Sequence, residues 1–489
     1  MQYGFVIDQD ACIGCHACTV ACKAENDVPV GGFRTNVKYV EIGKFPSVKR
    51  NFLVQRCNHC TDAPCVAICP VNALSKRPDG IVDIDRDACI GCRACMQACP
   101  YDALYLNEDL GAVEKCHFCA HRIEKGLEPA CVTVCPVGAI IPGDFHDPES
   151  RVSLIRRAKV LTARRPEQGT GPNVLYIGAN RVALQPGLAE KPRQYIWSER
   201  RNTRPEAWPT DVATQPDARE VLNADHKIEW GWTVALYLVT KGIAGGVAMI
   251  APFLGLLGAS VPWWAPESIA ILFTLITVFL LVEDLAKPMH FYKLFTRPNW
   301  NSWLVKGGIV LTVFGGLSGL ILLIGLIGPM GRMGLALDLR WANLPLGGLV
   351  AGYTALLFWQ CKGRDLWEGR WLLPHLLVQA VMCGCLALMP LAHRSIGPTI
   401  VLICAVPTHL VFVWHELHRK ETANAFQAAR FMDNLQLGPT SFLSVSAICL
   451  LVAVLIGFTA PPVASLVGLF GLYLYEHAFV RAGQLPPLS

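Results

Sequence analysis

Charged residues are scarce in this chain. They make up 17% of its 489 residues, whereas about 25% is usual for a soluble protein. The N-terminal sequence MQYGFVIDQDACIGC also lacks a basic start, an apolar core, a cleavage site and a twin arginine. We therefore expect that no leader of its own exports the N-terminal part, while export together with a partner stays open.

A nucleotide-binding fingerprint is missing as well. The sequence GTG at 169–171 has the wrong spacing, and no strand–helix–strand pattern surrounds it. The net charge of +5 is small for a chain of this length, so we predict no nucleic-acid partner.

The apolar residues and the cysteines occupy different halves of the chain. Sixteen of the 21 cysteines lie between Cys12 and Cys135, whereas 11 of the 13 tryptophans lie at or after Trp230. Residues 230–483 are mostly apolar. A chain of this length is expected to form two or more domains, and this division of residue types predicts that the two differ in kind.

The N-terminal cysteines form four groups with defined spacing. These are C-x2-C-x2-C-x3-C at Cys12, Cys15, Cys18 and Cys22; C-x2-C-x4-C-x3-C-P at Cys57, Cys60, Cys65 and Cys69; C-x2-C-x2-C-x3-C-P at Cys89, Cys92, Cys95 and Cys99; and C-x2-C-x11-C-x3-C-P at Cys116, Cys119, Cys131 and Cys135. Residues 7–22 match residues 84–99 at 12 of 16 positions, which indicates a duplicated unit.

This spacing predicts four [4Fe–4S] clusters. Three closely spaced cysteines reach three irons of a cubane, and the fourth cysteine, followed by proline, serves the other cluster of a pair. Structural zinc has no use for a third cysteine three residues on, disulfides need an oxidising compartment, and packing cysteines would not repeat in register. The later cysteines are predicted to be small packing residues: Cys361, Cys383, Cys385, Cys404 and Cys449.

Together, these groups make residues 1–180 similar to the iron–sulfur subunits of the dimethyl-sulfoxide and polysulfide reductase kind. The resemblance implies that a separate molybdopterin catalytic subunit is the partner. It also implies four ligand sets. They are Cys12, Cys15, Cys18 and Cys135 (set 1); Cys22, Cys116, Cys119 and Cys131 (set 2); Cys57, Cys60, Cys65 and Cys99 (set 3); and Cys69, Cys89, Cys92 and Cys95 (set 4). Lys23 departs from the pattern, because proline follows the last cysteine of the other groups.

The second half contains eight apolar runs long enough to cross a bilayer as helices. They are approximately 231–257, 264–284, 304–328, 343–361, 371–392, 396–418, 441–460 and 462–482. Tryptophans such as Trp230, Trp264 and Trp303 stand at the ends of these runs, as in the aromatic belt of membrane proteins.

Eight crossings place both ends of this half on one side of the membrane. The loops on that side carry Lys287, Lys293, Arg297, Lys306, Lys362, Arg364, Arg370, Arg419, Lys420 and Arg430, and the opposite loops carry Arg332, Arg340 and Arg394. Since positive residues stay inside, we expect an inner-membrane protein whose cysteine-rich domain faces the cytoplasm.

The second half also resembles a family. YLVTKGIAGG (237–246), EDLAKPMHF (283–291), FTRPNWNSW (295–303) and YEHAFVRAGQLPPLS (475–489) are similar to the eight-helix, quinone-handling membrane subunit of polysulfide reductase, the NrfD type. The resemblance implies ubiquinone or menaquinone as a bound substrate and no haem. In keeping with this, we find no pair of histidines placed mid-membrane on facing helices, and His409 is the one deep histidine.

The expected fold is therefore a duplicated α+β ferredoxin-like domain followed by an all-α domain of eight transmembrane helices. We place the four-cluster domain at residues 1–165, a connector or docking segment at 166–228 with a short strand at 174–177, and the membrane domain at 229–489.

Ionisable residues inside a bilayer are costly and usually functional. Quinone reduction needs a nearby cluster, partners for two carbonyl oxygens and protons, so we expect it on the side of the clusters. The quinone and proton candidates are Tyr237, Lys241, Glu283, Asp284, His290, Lys306, His375, Glu476 and His477. Interfacial ion pairing or solvation is the simpler interpretation of most of them, and Lys241 is the hardest to explain in this way.

We predict an electron-transfer and membrane-anchor subunit of a molybdenum or tungsten oxidoreductase. It would pass electrons between a catalytic subunit for sulfite, formate or a related substrate and membrane quinone, with quinone chemistry as the one reaction this chain itself could perform. Two alternatives remain: a redox-driven proton-translocating subunit, with Lys241, His409 and Glu416 on a transmembrane path, and a passive anchor for a ferredoxin.

Overall fold

A computed structural model describes residues 1–190, 215–224, 227–255, 260–327, 333–392, 396–419, 421–438 and 440–489. We call residues 1–228 the cysteine half and residues 229–489 the membrane half. Part of the expected connector (191–214 and 225–226), Lys420, Arg332 and Arg394 lie outside the described residues.

The strands belong almost entirely to the cysteine half. They are β1 (Tyr3–Asp8), β2 (Thr35–Ile42), β3 (Lys49–Arg56), β4 (Leu74–Lys76), β5 (Val82–Ile84), β6 (Leu104–Asn107), β7 (Ala112–Lys115), β8 (Ile140–Asp144), β9 (Thr162–Ala163), β10 (Val174–Ile177), β11 (Ala218–Leu222), β12 (Gln436–Leu437) and β13 (Thr440–Ser441).

The helices of the cysteine half are short. They are α1 (Ala17–Glu25), α2 (Pro64–Ile68), α3 (Ala94–Ala98), α4 (Ala120–Ile123), α5 (Ala130–Thr133), α6 (Arg151–Ala158) and α7 (Arg181–Leu184). Short helices suit this half because each cysteine group needs a tight loop followed by about one turn that carries the next ligand.

Two small sheets organise the cysteine half around its loops. One has the order β8-β1-β10-β9, with β10 parallel to β1, and the other has the order β11-β2-β3. The strand predicted at 174–177 is β10. Since β10 and β11 both pair with strands of the cysteine-rich part, the described parts of the expected connector belong to its sheets.

The membrane half is helical. Its helices are α8 (Trp232–Ile250), α9 (Ala265–Glu283), α10 (Lys293–Thr296), α11 (Trp303–Ile327), α12 (Met333–Trp359), α13 (Leu372–Leu388), α14 (Gly397–Leu417), α15 (Ala423–Asn434), α16 (Phe442–Ile456) and α17 (Pro461–Gln484).

Each of the eight predicted apolar runs forms one of these helices, so the fold class is confirmed. Within the described residues, seven helices are long and apolar enough to cross a membrane, and α16 is a shorter apolar helix of 15 residues. Helix α12 begins at Met333, earlier than the predicted 343. Its extra turns carry Arg340, which is tolerated there because Glu267 of α9 accepts hydrogen bonds from its guanidinium.

Helix α8 lies at the centre of the membrane half, where it packs against α9, α12, α13 and α17. Its crossing with α13 depends on two glycines. A Cβ on Gly246 would lie 1.7 Å from the carbonyl oxygen of Ala380, and one on Gly384 would lie 2.3 Å from the Gly246 backbone. Glycine pairs of this kind let membrane helices approach closely, and here they bring polar side chains of α8 and α13 together.

The two halves share one continuous apolar core, which includes Ile90, Trp230, Phe358, Trp367 and Phe479. The cysteine half packs on the side of the membrane helices where α8 begins and where α9 and α17 end; we call this the near side. The opposite side is the far side.

Hydrogen bonds join the halves around this core. Asn299 donates to the Cys69 carbonyl at 2.8 Å, and Arg364 donates to Gln97 at 2.8 Å. Cysteine loops and membrane helices are therefore in direct contact.

Candidate metal centres and a buried membrane site

The duplicated cysteine motifs have the same backbone. Gly14 and Gly91 both have φ of 71°, and the following His16 and Arg93 both have φ of 59°. Glycine occupies positive φ without steric cost, so each CIGC segment turns tightly. These turns place three cysteines of each repeat around one point.

The structure brings together the members of each predicted ligand set. In set 1, the Cys12 thiol interacts electrostatically with Cys15 and Cys135, and the Cys18 thiol does so with Cys12. In set 2, Cys22 interacts with Cys119 and Cys131, and Cys116 with Cys22 and Cys131.

The inner sets behave in the same way. In set 3, Cys65 interacts with Cys57, Cys60 and Cys99. In set 4, Cys95 interacts with Cys69, Cys89 and Cys92. Cysteines far apart in sequence therefore meet as the family resemblance implied, while the assignment of each thiol to one cluster stays a prediction.

Cysteine thiols of neighbouring sets interact electrostatically, and these interactions place the four sets in a linear order. Cys18 of set 1 interacts with Cys131 of set 2, Cys116 of set 2 with Cys57 of set 3, and Cys95 of set 4 with Cys65 of set 3. Set 1 includes the exposed Cys15. Set 4 lies against the membrane half, where the Trp230 indole donates to the Cys92 carbonyl at 3.4 Å.

The chemistry of these thiols fits iron–sulfur clusters. Burial raises the pKa of Cys22 and of Cys92 to about 12, so four neighbouring thiols could not lose their protons together without a polycationic centre among them. Among the described residues, no group of three or more His, Cys, Asp or Glu side chains converges on a single metal ion. A cubane cluster holds its four thiolates further apart than a single metal ion does.

Set 2 surrounds a cavity. The walls of this cavity include all four cysteines of the set together with Arg34, Arg56 and Asn26. Asn26 donates to the sulfur of Cys22 at 3.7 Å, and the backbone N–H of Phe118 donates to the sulfur of Cys116 at 3.4 Å. Hydrogen bonds of this kind are typical of cluster sulfurs.

A second cavity lies inside the membrane half, between α8, α12, α13 and α17. Its walls are Leu238, Val239, Lys241, Gly242, Ala351, Leu376, Gln379, Ala380, Cys383, Leu472 and Glu476. We call it the intramembrane cavity. Lys241 is buried, with its ammonium against the Thr354 hydroxyl and 4.9 Å from the centre of the Tyr353 ring.

Two polar atoms of this cavity have no partner among the described residues. They are one carboxylate oxygen of Glu476 and the amide oxygen of Gln379, and both side chains are buried. A buried polar atom without a hydrogen bond is costly. A water molecule or a polar ligand in the intramembrane cavity would give both atoms a partner.

A network of buried polar side chains adjoins the cavity. His375 contacts Glu416 at 2.8 Å through one ring nitrogen and His409 at 2.7 Å through the other. Tyr475 donates its hydroxyl proton to Glu416, and Gln379 lies 3.5 Å from His375. We call His375, His409, Glu416 and Tyr475 the histidine network.

The histidine network corrects one sequence interpretation. The structure places His375 of α13 directly beside His409 of α14, so a pair of histidines on facing helices does exist. Sequence reasoning missed it because the relative rotation of two helices is not encoded in either apolar run. At 2.7 Å the two ring nitrogens leave no space for an iron between them.

The nine quinone and proton candidates separate into two groups. Tyr237, Lys241, His375 and Glu476 lie at or beside the intramembrane cavity, and all four are buried. Gln379, Thr354 and Tyr475 complete this region but were not predicted. Gln379 could have been found, because it follows His375 by four residues and so lies on the same helix face.

The other five candidates lie near the surface or at the boundary between the halves. Asp284 accepts a hydrogen bond from Thr233 at 2.7 Å, and its carbonyl accepts one from Arg93 at 2.6 Å. Glu283 is exposed, His290 contacts Lys293, Lys306 covers the Trp303 ring, and His477 stacks on Phe442.

Comparisons with known proteins agree with both halves. The family model for polysulphide reductase, NrfD, matches residues 220–465. A 4Fe-4S dicluster domain matches residues 48–145, and a 4Fe-4S binding domain matches residues 3–24.

Curated relatives match the cysteine half. A tetrathionate reductase subunit of Salmonella typhimurium is 44% identical over 202 residues, which are 40% of this chain and 80% of the relative. A polysulfide reductase chain of Wolinella succinogenes is 37% identical over 38% of this chain and 98% of the relative. A sulfite dehydrogenase subunit of Allochromatium vinosum is 39% identical over 37% of this chain and 85% of the relative.

The cysteine motifs, the membrane helices and these matches agree on one assignment. The chain is a multi-pass iron–sulfur membrane protein that belongs to the polysulphide reductase NrfD family, with a 4Fe-4S dicluster domain fused ahead of the NrfD domain.

Proposed function

We propose that this chain carries electrons through four [4Fe–4S] clusters between a separate molybdopterin catalytic subunit and membrane quinone. The linear order of the ligand sets supports this most directly, because it runs from the exposed Cys15 to the membrane helices. Curated relatives of the cysteine half include an iron–sulfur subunit of a respiratory arsenate reductase and a subunit of a sulfite dehydrogenase. The substrate of the catalytic partner is taken to be sulfite, formate or a related sulfur or one-carbon compound.

The partner would dock at the end occupied by set 1. Around this set the apolar side chains of Ile13, Val20, Val134 and Val137 are exposed. Exposed apolar side chains close together are typical of protein interfaces. A catalytic subunit placed there could exchange electrons with the first cluster, as a linear series of centres requires.

We place the quinone head group in the intramembrane cavity. Reducing a quinone takes two electrons and two protons. Lys241 can donate a hydrogen bond to a carbonyl oxygen, and Glu476 can hold and release a proton beside it. Along α8, Lys241 lies about 14 Å from Trp232, the first residue of the helix, at a rise of about 1.5 Å per residue. Trp230, two residues before the start of α8, contacts set 4.

Stacked aromatic rings occupy the space between set 4 and the cavity. Trp230 stacks on Trp367 with ring centres 5.6 Å apart, and Trp367 stacks on Phe358 at 4.7 Å. Phe479 lies 6.3 Å from Phe358 and 6.0 Å from Tyr475 of the histidine network. This column excludes water between the clusters and the proposed quinone site.

Protons would reach the cavity from the near side through the histidine network and Gln379. On the far side, the described residues favour no second route for protons. Helix α8 carries no ionisable residue after Lys241, and on the far side Glu267 is occupied by Arg340 at 2.6 Å. These observations support quinone chemistry over a proton path across the membrane.

The test uses the purified full chain with a quinol analogue as electron donor. It compares two substitutions in the intramembrane cavity with one at the boundary between the halves. We expect Lys241→Met and Glu476→Gln to abolish most cluster reduction by quinol, whereas Asp284→Asn retains it, because Asp284 joins the halves. Iron content and the cluster EPR signals should be unchanged in all three variants. Loss of quinol oxidation in Asp284→Asn alone would move the site to the boundary between the halves. Unchanged turnover in all three variants would favour a passive anchor.

The orientation is part of the proposal. Following the positive residues, the cysteine half and the near side should face the cytoplasm of the inner membrane. Single cysteines placed at Lys44 and at Trp341 in intact cells test it. A membrane-impermeant thiol reagent should label the Trp341 position alone, and labelling of Lys44 would reverse the orientation.

A further inference from the structure

One arginine is buried between two ligand sets. Arg56 is the last residue of β3 and directly precedes Cys57 of set 3. Its side chain turns toward set 2, where it donates to the sulfur of Cys131 at 3.2 Å, and its guanidinium lies 4.5 Å from the centre of the Phe5 ring. Only 3% of the residue is exposed.

The guanidinium of Arg56 has unused hydrogen-bonding capacity. Two of its three nitrogens have no partner among the described residues, and no carboxylate of those residues forms an ion pair with it. Burying an unpaired charge in this way costs several kcal/mol. Since Arg56 lines the cavity of set 2, a negatively charged group in that cavity is the partner that would offset this cost.

The neighbouring Arg34 provides an internal comparison. It lines the same cavity, but it forms an ion pair with Glu114 at 3.3 Å. Arg86 pairs with the same carboxylate at 2.7 Å. Arg34 therefore has a carboxylate partner, which it shares with Arg86, whereas Arg56 has none among the described residues. Arg56 also acts electrostatically on Cys18 of set 1 and on Cys116 of set 2.

We propose that Arg56 is the buried counter-charge of the cluster in set 2 and raises its reduction potential above the value that the four cysteines alone would give. Reduction adds one electron to a cluster that is already negative, and a fixed cation nearby stabilises the reduced state more than the oxidised state. Nearby charge, hydrogen bonds to sulfur and exclusion of solvent are the usual means of setting such potentials. Arg56 combines all three, and it acts as a positioning residue that carries no electron itself.

The inference rests on the ligand sets of the proposed function. It adds that the cluster in set 2, which lies inside the series between the partner and the membrane, is more easily reduced than its cysteines alone would make it, for a reason that lies in a single side chain.

The test is an EPR-monitored redox titration of the full chain in detergent. We expect Arg56→Gln to shift the midpoint potential of set 2 most, to a more negative value, and that of set 1 less, because Arg56 also acts on Cys18. Arg56→Lys keeps the charge and should shift both less. Arg50→Gln is the matched control: Arg50 lies on the same strand, but it is paired with Glu41 at the surface, and it should shift nothing.

Iron content separates the outcomes. Loss of one cluster's iron in Arg56→Gln but not in Arg56→Lys supports the proposal, because the property lost is the charge. Unchanged midpoints in an iron-replete Arg56→Gln variant would overturn it, and so would equal iron loss in both variants, which would indicate a role in shape alone. If the unsubstituted chain lacks four clusters, the proposed function fails first and the variants are not needed to show it.

Discussion

The cysteine half and the membrane half place their functional residues by different means. Each ligand set draws three of its cysteines from one loop or two nearby loops, and the repeated CIGC turns have the same φ values. The membrane site draws Lys241, His375, His409 and Glu476 from four different helices. The spacing of cysteines in the sequence is therefore enough to indicate the ligand sets. The membrane site depends instead on how the helices are rotated and how they cross.

The largest effect is expected where the two halves meet. Cys95→Ser replaces a buried ligand of set 4, so iron content should fall by about a quarter and electron exchange with quinone should stop. Cys385→Ser in α13 is the control, since Cys385 is buried away from the sets. Iron analysis and EPR of the purified chain measure both variants. Equal iron loss in the two would show that any buried cysteine supports folding, and the assignment of Cys95 would lose its support.

A smaller effect is expected within the membrane half. Tyr475→Phe removes the hydroxyl that donates to Glu416, so quinone turnover should fall about tenfold as proton transfer slows, with a larger solvent isotope effect and unchanged iron content. Tyr473→Phe is the matched control on the same helix, because Tyr473 lies beside the His477 ring instead. If the solvent isotope effect in Tyr475→Phe equals that of the unsubstituted chain, the histidine network does not carry the protons.

Much of the cysteine half could be predicted because its chemistry restricts the sequence directly. The four groups, the duplication and the strand at 174–177 all follow from spacing and composition. The role of Arg56 could not be predicted, because a basic residue at the end of a strand is usually solvated. Its burial depends on how β3 packs against α5, the helix that carries Cys131.

In the membrane half, the helices were predictable and the site was not. Apolar length gave eight helices, but EDLAKPMHF drew attention to Asp284 and His290 because their charges stand out in sequence. In the fold this segment joins the halves: Lys287 donates to the Arg86 carbonyl, and Arg297 pairs with Asp85 at 3.5 Å. Lys287 and Arg297 are among the positive residues whose distribution predicts the membrane orientation. These contacts show that they also hold the two halves together.

The two CIGC turns can be compared directly, because one lies within the cysteine half and the other lies against the membrane half. A Cβ on Gly91 would lie 2.5 Å from the Cβ of Ala286 in the membrane half, whereas one on Gly14 would meet the Phe52 ring within the cysteine half. Both glycines have the same φ, so alanine adds similar backbone strain, about 1–2 kcal/mol. We expect Gly91→Ala, but not Gly14→Ala, to increase hydrogen exchange in residues 284–290. Equal protection there in both variants would contradict a docking role for the second turn.

The smallest effect is expected when acid protonates a carboxylate that pairs with exposed arginines at the surface of the cysteine half. Glu41 of β2 accepts hydrogen bonds from Arg50 at 2.9 Å and from Arg219 of β11 at 2.7 Å. The bond from Arg50 holds the pKa of Glu41 below its usual range. The stabilisation is therefore present above the unfolded pKa of about 4.3 and is lost as the pH falls through the lower folded pKa.

Acidification should loosen β11 by about 1 kcal/mol or less, as is usual for pairs that reach solvent. Hydrogen exchange of residues 218–222, corrected for the intrinsic effect of pH, measures this. Helix α8 should stay protected over the same range, because it is enclosed by other helices. In Glu41→Gln the exchange of β11 should no longer respond to acid, since no charge remains to be lost at that position. A response as large as that of the unsubstituted chain would show that a different carboxylate holds β11 to β2.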